Sequence, residues 1–339
     1  MIYFDHASGI RPEPEALDFF RRTAEENFAN QESAHRAGYE LRKKLETAGE
    51  KLAMALTGKK RFVFWGTSGT DVLLAAGYVA RRQNRQIRLS DFCHPAIAAA
   101  FAASSGNGRK TLAVYPAVES ETGMLDAGIS PPGSTDSVFC DAIQAAGKIL
   151  LPDTPDWIAV SGSKLGGLGG AALLFRDETQ APLFDSYRRE HRTGRPFPAQ
   201  CLTLAFAAER ALRHLEKNQS GVRKINAFLR EKLSLLPLPG GGKIRPTLPE
   251  EKASPFILHL TLPGIQTGVL VRMLGDHGAA CSAGSACEAE SSRPSPVLLA
   301  MGYSRQDAYS GLRLSFSPGN TLEEARQFVE LLTQTLKEY

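Results

Sequence analysis

The chain has 339 residues, 42% hydrophobic and 22% charged, a composition that can bury a sizeable core as one large domain or two modest ones. Its net charge of +4 arises from scattered Lys and Arg, which excludes the clustered basic footprint of a nucleic-acid binder. No apolar run approaches the roughly 20 residues of a membrane span, and the N-terminus MIYFDHASG lacks the layout of a signal peptide. Five cysteines (Cys93, Cys140, Cys201, Cys281, Cys287) form no CxxC pair and no zinc-ligand spacing. Reduced thiols and a cytoplasmic location are therefore expected, with no metal.

Apolar spacing predicts helices over 13–27 and 38–57. RFVFW at 61–65 reads as a strand, followed by the turn Gly66-Thr67-Ser68-Gly69-Thr70 and the helical pattern DVLLAAGYVARR. QIRLS at 86–90 is the next strand and HPAIAAAFAAS another helix. TLAVYP, DSVFC and DWIAVSG are further strands, and GGAALLF is a return strand. Alternation of this kind implies a largely parallel sheet with helices on both faces. From about residue 200 the pattern changes: one long helix over 202–236, a Pro/Gly-rich stretch, the strand FILHLTL, the helix TGVLVRMLGDHG, a loop of small residues, the strand GLRLSFS and a final helix from Thr321. The expected organisation is α/β, with a large domain over 14–220 and a smaller α+β domain made of 1–13 and 221–339.

Several strand ends carry polar residues whose chemistry converges. The GTSGT turn offers amides and hydroxyls at a helix N-terminus, suited either to an anion such as phosphate or to plain capping. Asp141 ends DSVFC, with Gln144 three residues on; it is either a helix cap or an acid at the carboxyl edge of a parallel sheet, where ligands bind. His94, before Pro95, is either a capping or packing residue or a ring laid over a flat ligand. Lys164, in DWIAVSGSKLGGLGGAALLF, stands isolated among small residues, and a lysine drawn into an apolar site can attack a carbonyl as the neutral amine. Ser161 and Ser163 beside it can hold an anion. Together these describe a pyridoxal phosphate pocket, with an acid keeping the ring nitrogen protonated.

With these residues in view the chain resembles the NifS-like cysteine desulfurases, class V aminotransferase relatives within the fold-type I pyridoxal phosphate enzymes. The resemblance rests on YFDHASG, NQESAHRAGYELRKKLETA, TSGTD, CHPAI, DAIQAAGKI, SGSKLGGLGGAALLF, SAGSACEAESSRPSPVLLAMGYS and GLRLSFS. It implies a fold-type I transferase fold and a pyridoxal 5'-phosphate cofactor on Lys164. Asp141 would face the ring nitrogen, Gln144 the ring oxygen, and His94 would stack on the ring. Gly69, Thr70, Ser161 and Ser163 would hold the phosphate. Arg313 would take the substrate carboxylate with a planar fork, and Asn30 belongs to the same substrate-binding set. Lys164 and His94 would act in catalysis, and Cys287 would take sulfur from L-cysteine as a persulfide, leaving L-alanine. A sulfur-acceptor or scaffold protein, a role in iron–sulfur cluster assembly and a homodimer are further implied.

Three departures from the family pattern stand out. The stretch between Gly123 and Asp141 is too short for the usual βα unit with its Asn-Asn-Glu-Ile-Gly-like motif. Ser163 replaces the usual His before the lysine. Arg192-Thr193-Gly194-Arg195 stands for Arg-x-Gly-Thr, which puts Arg195 at the cross-subunit phosphate contact. Two other functions therefore remain open here: a class V aminotransferase or lyase acting on another small amino acid, selenocysteine included, and a degenerate non-catalytic member.

Overall fold

The structure, a computed structural model, describes residues 1–102, 110–125, 137–284 and 294–339. The chain opens with strand β1 (Ile2–Tyr3) and helices α1 (Pro14–Glu26) and α2 (Arg36–Thr57). Pro14 fits the first turn of α1, where its missing N–H costs nothing, and α2 stops at left-handed Gly58. Next come β2 (Phe62–Gly66), α3 (Gly69–Arg82), β3 (Gln86–Leu89), α4 (Pro95–Phe101), β4 (Thr111–Pro116), β5 (Ser137–Asp141), β6 (Trp157–Ser161) and β7 (Ala171–Phe175). Helices α5 (Ala181–His191), α6 (Pro198–Arg213) and α7 (Leu215–Ser234) follow. The remainder is β8 (Arg245–Pro246), β9 (Ile257–Thr261), α8 (Thr267–Asp276), β10 (Ala279–Ala280), α9 (Pro296–Ala300), β11 (Gly311–Ser315) and α10 (Leu322–Glu338).

Two compact units result. A central unit comprises Arg11–Ala117 and Asp126–Leu215; a terminal unit comprises Met1–Ile10, Val118–Leu125 and Glu216–Tyr339. The central unit holds a six-stranded sheet in the order β2-β7-β6-β5-β4-β3. Strands β3 to β6 are parallel, and β7 is antiparallel to both its neighbours. Its core clusters Phe64, Val72, Phe101, Val114, Phe139, Trp157, Leu173 and Phe184. In the terminal unit β11-β9-β8 form an antiparallel sheet and β1 pairs with β10. Phe4, Leu229, Leu258, Leu314 and Phe328 lie in its core.

The single helix expected over 202–236 is in fact two. At His214 the backbone leaves the helical region (φ −108°, ψ 14°), and its N–H caps Arg210 and Leu212 carbonyls. No Gly or Pro marks the break. Two separate cores cause it: Leu204, Ala205 and Ala208 of α6 are buried in the central unit, whereas Val222, Ile225, Leu229 and Leu233 of α7 fill the terminal core. Among the described residues, no helix is long and apolar enough to cross a membrane.

Candidate active site

Register explains why the polar strand ends of the central unit meet. Gly66 at the end of β2 pairs with Ala171, and Ala171 pairs with Ser161 at the end of β6. Asp141, ending β5, pairs with Ala159 two residues below that level. With β7 reversed, the carboxyl ends of β2, β3, β4, β5 and β6 share one sheet edge, the edge where open α/β sheets bind ligands.

Helix α3 starts at that edge. Ser68 caps it by accepting the Asp71 N–H at 3.2 Å. Asp71, buried at the first turn, accepts the Thr67 N–H at 2.8 Å and the Tyr187 hydroxyl at 3.0 Å. The turn is thereby held from inside, while the first-turn amides, including those of Gly69 and Thr70, belong to the set with no acceptor in the helix. Thr70 is exposed. A Cβ on Gly69 would lie 2.9 Å from Ile143 Cδ1 and 3.8 Å from Ser161 Oγ. Ser161 Oγ is in turn 3.1 Å from Ser163 Oγ. Gly69, the start of the Asp141 turn and Ser161 thus come within a methyl group of one another at this edge, and exposed Ser163 sets its hydroxyl beside that of Ser161.

Asp141 is buried and accepts the Ile143 N–H at 2.9 Å, so it does act as a local cap. Burial pushes its carboxyl up to about 6, only partly offset by that hydrogen bond. A buried acid of this kind gains from a cation placed against it. Gln144, also buried, accepts from Lys148 Nζ at 3.4 Å, which turns its amide carbonyl towards the lysine. His94 caps α4: its Nδ1 accepts the Ala96 N–H at 3.1 Å, so the capping role is realised and the ring is oriented by it. Lys164 ends a short 3-10 turn, Gly162–Lys164, and is half-buried.

Two residues named from sequence are differently engaged. Asn30 is exposed and accepts the Glu32 N–H at 2.9 Å. Arg195 makes an ion pair with Glu32 at 3.2 Å, both side chains largely solvated, following left-handed Arg192 at the end of α5. Surface pairs of this kind contribute little and are readily exchanged.

In the terminal unit Arg313 is 2% exposed in the middle of β11. Its Nη2 donates to Asp5 Oδ1 at 2.9 Å, Ser8 Oγ at 2.7 Å and Ser282 Oγ at 3.1 Å. Nη1 donates to the Ser120 carbonyl at 2.9 Å, and Nε has no hydrogen-bond partner among the described residues. Pattern reading identified Arg313 but not this surround. Asp5 and Ser8 lie in the YFDHASG motif and Ser282 in the small-residue loop, so sequence placed them in notable stretches without pairing them.

The Ser120 turn carries two buried acids that the sequence offered no reason to single out. Glu119 accepts the Glu121 and Thr122 N–H groups at 2.7 and 2.6 Å and the Thr122 hydroxyl at 2.7 Å. Burial and the neighbouring Glu121 charge push its carboxyl up. For Glu121 burial acts upward too, but the His259 ring, the Ser295 hydroxyl and the Arg313 charge together hold it below its ordinary value.

The cysteines sort by burial. Cys93, Cys201 and Cys281 are each pushed up to about 12, in each case mainly by burial, and Cys140 is fully buried. Burial of this kind disfavours the thiolate that a reactive cysteine needs. Cys287 lies outside the described residues.

No family model matches the chain. It is 30% identical to the IscS-like cysteine desulfurase of Mycobacterium tuberculosis, over 96% of this chain and 93% of that protein. It is 25% identical to the cysteine desulfurase NifS of Azotobacter vinelandii, over 95% of this chain and 89% of that protein. Among solved structures, a NifS-like protein superposes with a TM-score of 0.82 at 22% identity, covering all of both chains. A second NifS-like protein, from Rickettsia africae, gives 0.81 at 20% identity over 99% of each.

Proposed function

Because this chain belongs to the IscS- and NifS-like cysteine desulfurases, we propose that it converts L-cysteine to L-alanine and retains the sulfur as a persulfide on Cys287. The observation that carries this reading is the meeting of Gly69, Ser161 and Ser163 at the sheet edge that also holds buried Asp141. It suits the phosphate and protonated ring nitrogen of pyridoxal 5'-phosphate. When bound, that cofactor supplies an electron sink for charge developing at the substrate α-carbon.

The protein's own groups divide the remaining work. The α3 N-terminus with Thr70, Ser161 and Ser163 holds the phosphate. Asp141 faces the ring nitrogen; its preference for protonation when alone becomes a preference for that cation. Gln144 donates to the ring oxygen, and His94 covers the ring face. Lys164 holds the cofactor aldehyde and then, as a free amine, moves the α-proton of the substrate. Arg313 and Asn30 orient the substrate carboxylate; a fork already aligned by Asp5, Ser8 and Ser282 loses little freedom on binding it.

Sulfur transfer balances as follows. The Cys287 thiolate forms an S–S bond to the substrate sulfur as the Cβ–S bond breaks. The bonding pair stays with the carbon skeleton, and protons delivered by Lys164 complete alanine. Cys287→Ser should keep the cofactor and lose sulfur transfer.

Incubation of the loaded protein with L-cysteine and a mild reductant, with alanine and sulfide measured together, tests the reading. Equal yields over many turnovers are expected. Alanine and sulfide both absent from loaded protein would turn attention to a second reading, an aminotransferase or lyase for another small amino acid. The direct pairing of β4 with β5 and the short connection between them favour that second reading. The same proposal extends to a homodimer in the cytoplasm, with Arg195 reaching the partner's phosphate, and to a protein that accepts the persulfide sulfur, for iron–sulfur cluster assembly among other uses.

A further inference from the structure

If Arg313 takes the substrate carboxylate, it does so with a guanidinium whose donors are largely engaged. A planar guanidinium has two edges with parallel N–H bonds, one formed by Nε with Nη2 and the other by Nη1 with Nη2. Both include Nη2. Its two hydrogens are shared by three acceptors: Ser8 Oγ at 2.7 Å, Asp5 Oδ1 at 2.9 Å and Ser282 Oγ at 3.1 Å. A carboxylate can therefore occupy either edge only by exchange with one of the three. The Nε–Nη2 edge is the favoured one, because buried Nε has no hydrogen-bond partner among the described residues and would gain its first acceptor there. Nη1, by contrast, already donates to the Ser120 carbonyl.

The three acceptors are not equally able to leave. Asp5 is the counter-ion of an arginine that is 2% exposed, and its Oδ1 also accepts the Ser8 and Ser282 hydroxyls at 2.8 Å each. Displacing it would leave a buried cation unpaired. Ser282 is buried, and its backbone is fixed to that of Arg313 by hydrogen bonds of 2.8 and 3.1 Å. Ser8 is neutral and half-buried, in the turn over 5–9 where its N–H donates to the Asp5 carbonyl at 3.0 Å. Beside it Gly9 faces open space, since a Cβ there would meet nothing within 4 Å. A single χ1 rotation takes a serine hydroxyl off its partner without moving the backbone.

We propose that Ser8 is a specificity-determining residue: its hydroxyl holds an Nη2 hydrogen of Arg313 and rotates away as the substrate carboxylate docks on the Nε–Nη2 edge beside Asp5. This inference rests on the reading of Arg313 as the carboxylate-binding group. The exchange sets how strongly Arg313 prefers an α-amino acid to the corresponding amine. L-Alanine carries the same carboxylate as L-cysteine, so the returning hydroxyl also helps the product to leave.

The test uses the full-length, cofactor-loaded parent protein with Ser8→Ala and Ser8→Thr. Dissociation constants for L-alanine, and for ethylamine as alanine without its carboxylate, are read from the change in cofactor absorption. KM for L-cysteine is read from alanine release. S8A should bind L-alanine about three- to tenfold more tightly and lower KM in step, with its ethylamine constant within about twofold of the parent. S8T, which keeps the hydroxyl, should match the parent throughout. Unchanged or weaker L-alanine binding in S8A, an equal gain for ethylamine, or a gain that S8T shares would overturn the proposal. So would a parent that binds L-alanine no tighter than ethylamine, because Arg313 would then take no carboxylate. A parent that prefers L-alanine to ethylamine but releases no alanine from L-cysteine defeats the desulfurase reading alone, and the binding constants still decide the role of Ser8.

Discussion

The central and terminal units build their polar groups in opposite ways. The central unit brings glycine, serine and helix-start amides to one sheet edge, beside a buried acid whose carboxyl is pushed up to about 6. The terminal unit fills its polar centre: Arg313 meets Asp5, Ser8, Ser282 and Ser120, and Glu121 meets Ser295 and His259. The first arrangement suits a charge from outside, whereas the second pairs most of its polar groups internally and leaves Arg313 Nε, Glu121 Oε1 and His259 Nε2 without a hydrogen bond among the described residues. A cofactor that stays suits the former, and a substrate that comes and goes suits the latter, since a preset fork needs little reordering each cycle.

The largest effect that would break this contrast comes from Lys164→Ala. Alanine release should fall by at least about a thousandfold, and borohydride reduction should no longer fix the cofactor covalently to the protein. A mass shift that persists would remove Lys164 from the role.

Next is the terminal network. Arg313→Lys keeps a cation for Asp5 but loses the fork, so kcat/KM for L-cysteine should fall on the order of 10- to 100-fold. Most of the loss should appear in KM, with the melting temperature lowered by only a few degrees. Equal kinetics would mean that the fork does not take the carboxylate.

Asp141→Asn sharpens the contrast from the other side. The Asp141 carboxyl is raised in the fold from 3.8 to about 6. Its favourable contribution is therefore present below about pH 4 and is lost as pH rises through about 6. At roughly 1.4 kcal/mol per pH unit, cofactor-free protein should lose up to about 3 kcal/mol across that window. Denaturant titrations of the Asp141→Asn protein should lack this slope, and added cofactor should flatten it in the parent. A parent slope of the opposite sign would refute the assignment.

Smaller still is Gly69→Ala. The added methyl meets the mobile end of Ile143 at 2.9 Å, so the fold should survive with less than about 1 kcal/mol lost. Cofactor affinity should weaken about tenfold by equilibrium dialysis. Smallest of all, Cys281→Ala should leave sulfur transfer within about twofold, because that thiol is held near 12 by burial.

Much of this was legible along the chain because it depends on neighbours in sequence. Ser68 capping α3, Gly58 ending α2 and the alternation of strands with helices follow from local rules, and Asp141, Ser161 and Lys164 could be read as strand-end residues before any fold was known. His94 shows the limit of such reading: its capping bond to Ala96 is local, and sequence could not choose between that bond and a ligand role. The break at His214 carried no Gly or Pro and was missed, because two separate cores, not local propensity, divide α6 from α7.

The sequence by itself determined the class of fold and the family, since each rests on residue type at short spacing, and it named the candidate reactive groups. Tertiary structure alone decided that Gly66, Ala171 and Ser161 fall in one row across three strands. It also decided that Val118–Leu125 joins the terminal unit and so brings Ser120 to Arg313 and Glu121 to Ser295, partners 193 and 174 residues apart. No spacing rule reaches that far; such pairs exist only once burial has selected which polar groups must satisfy one another.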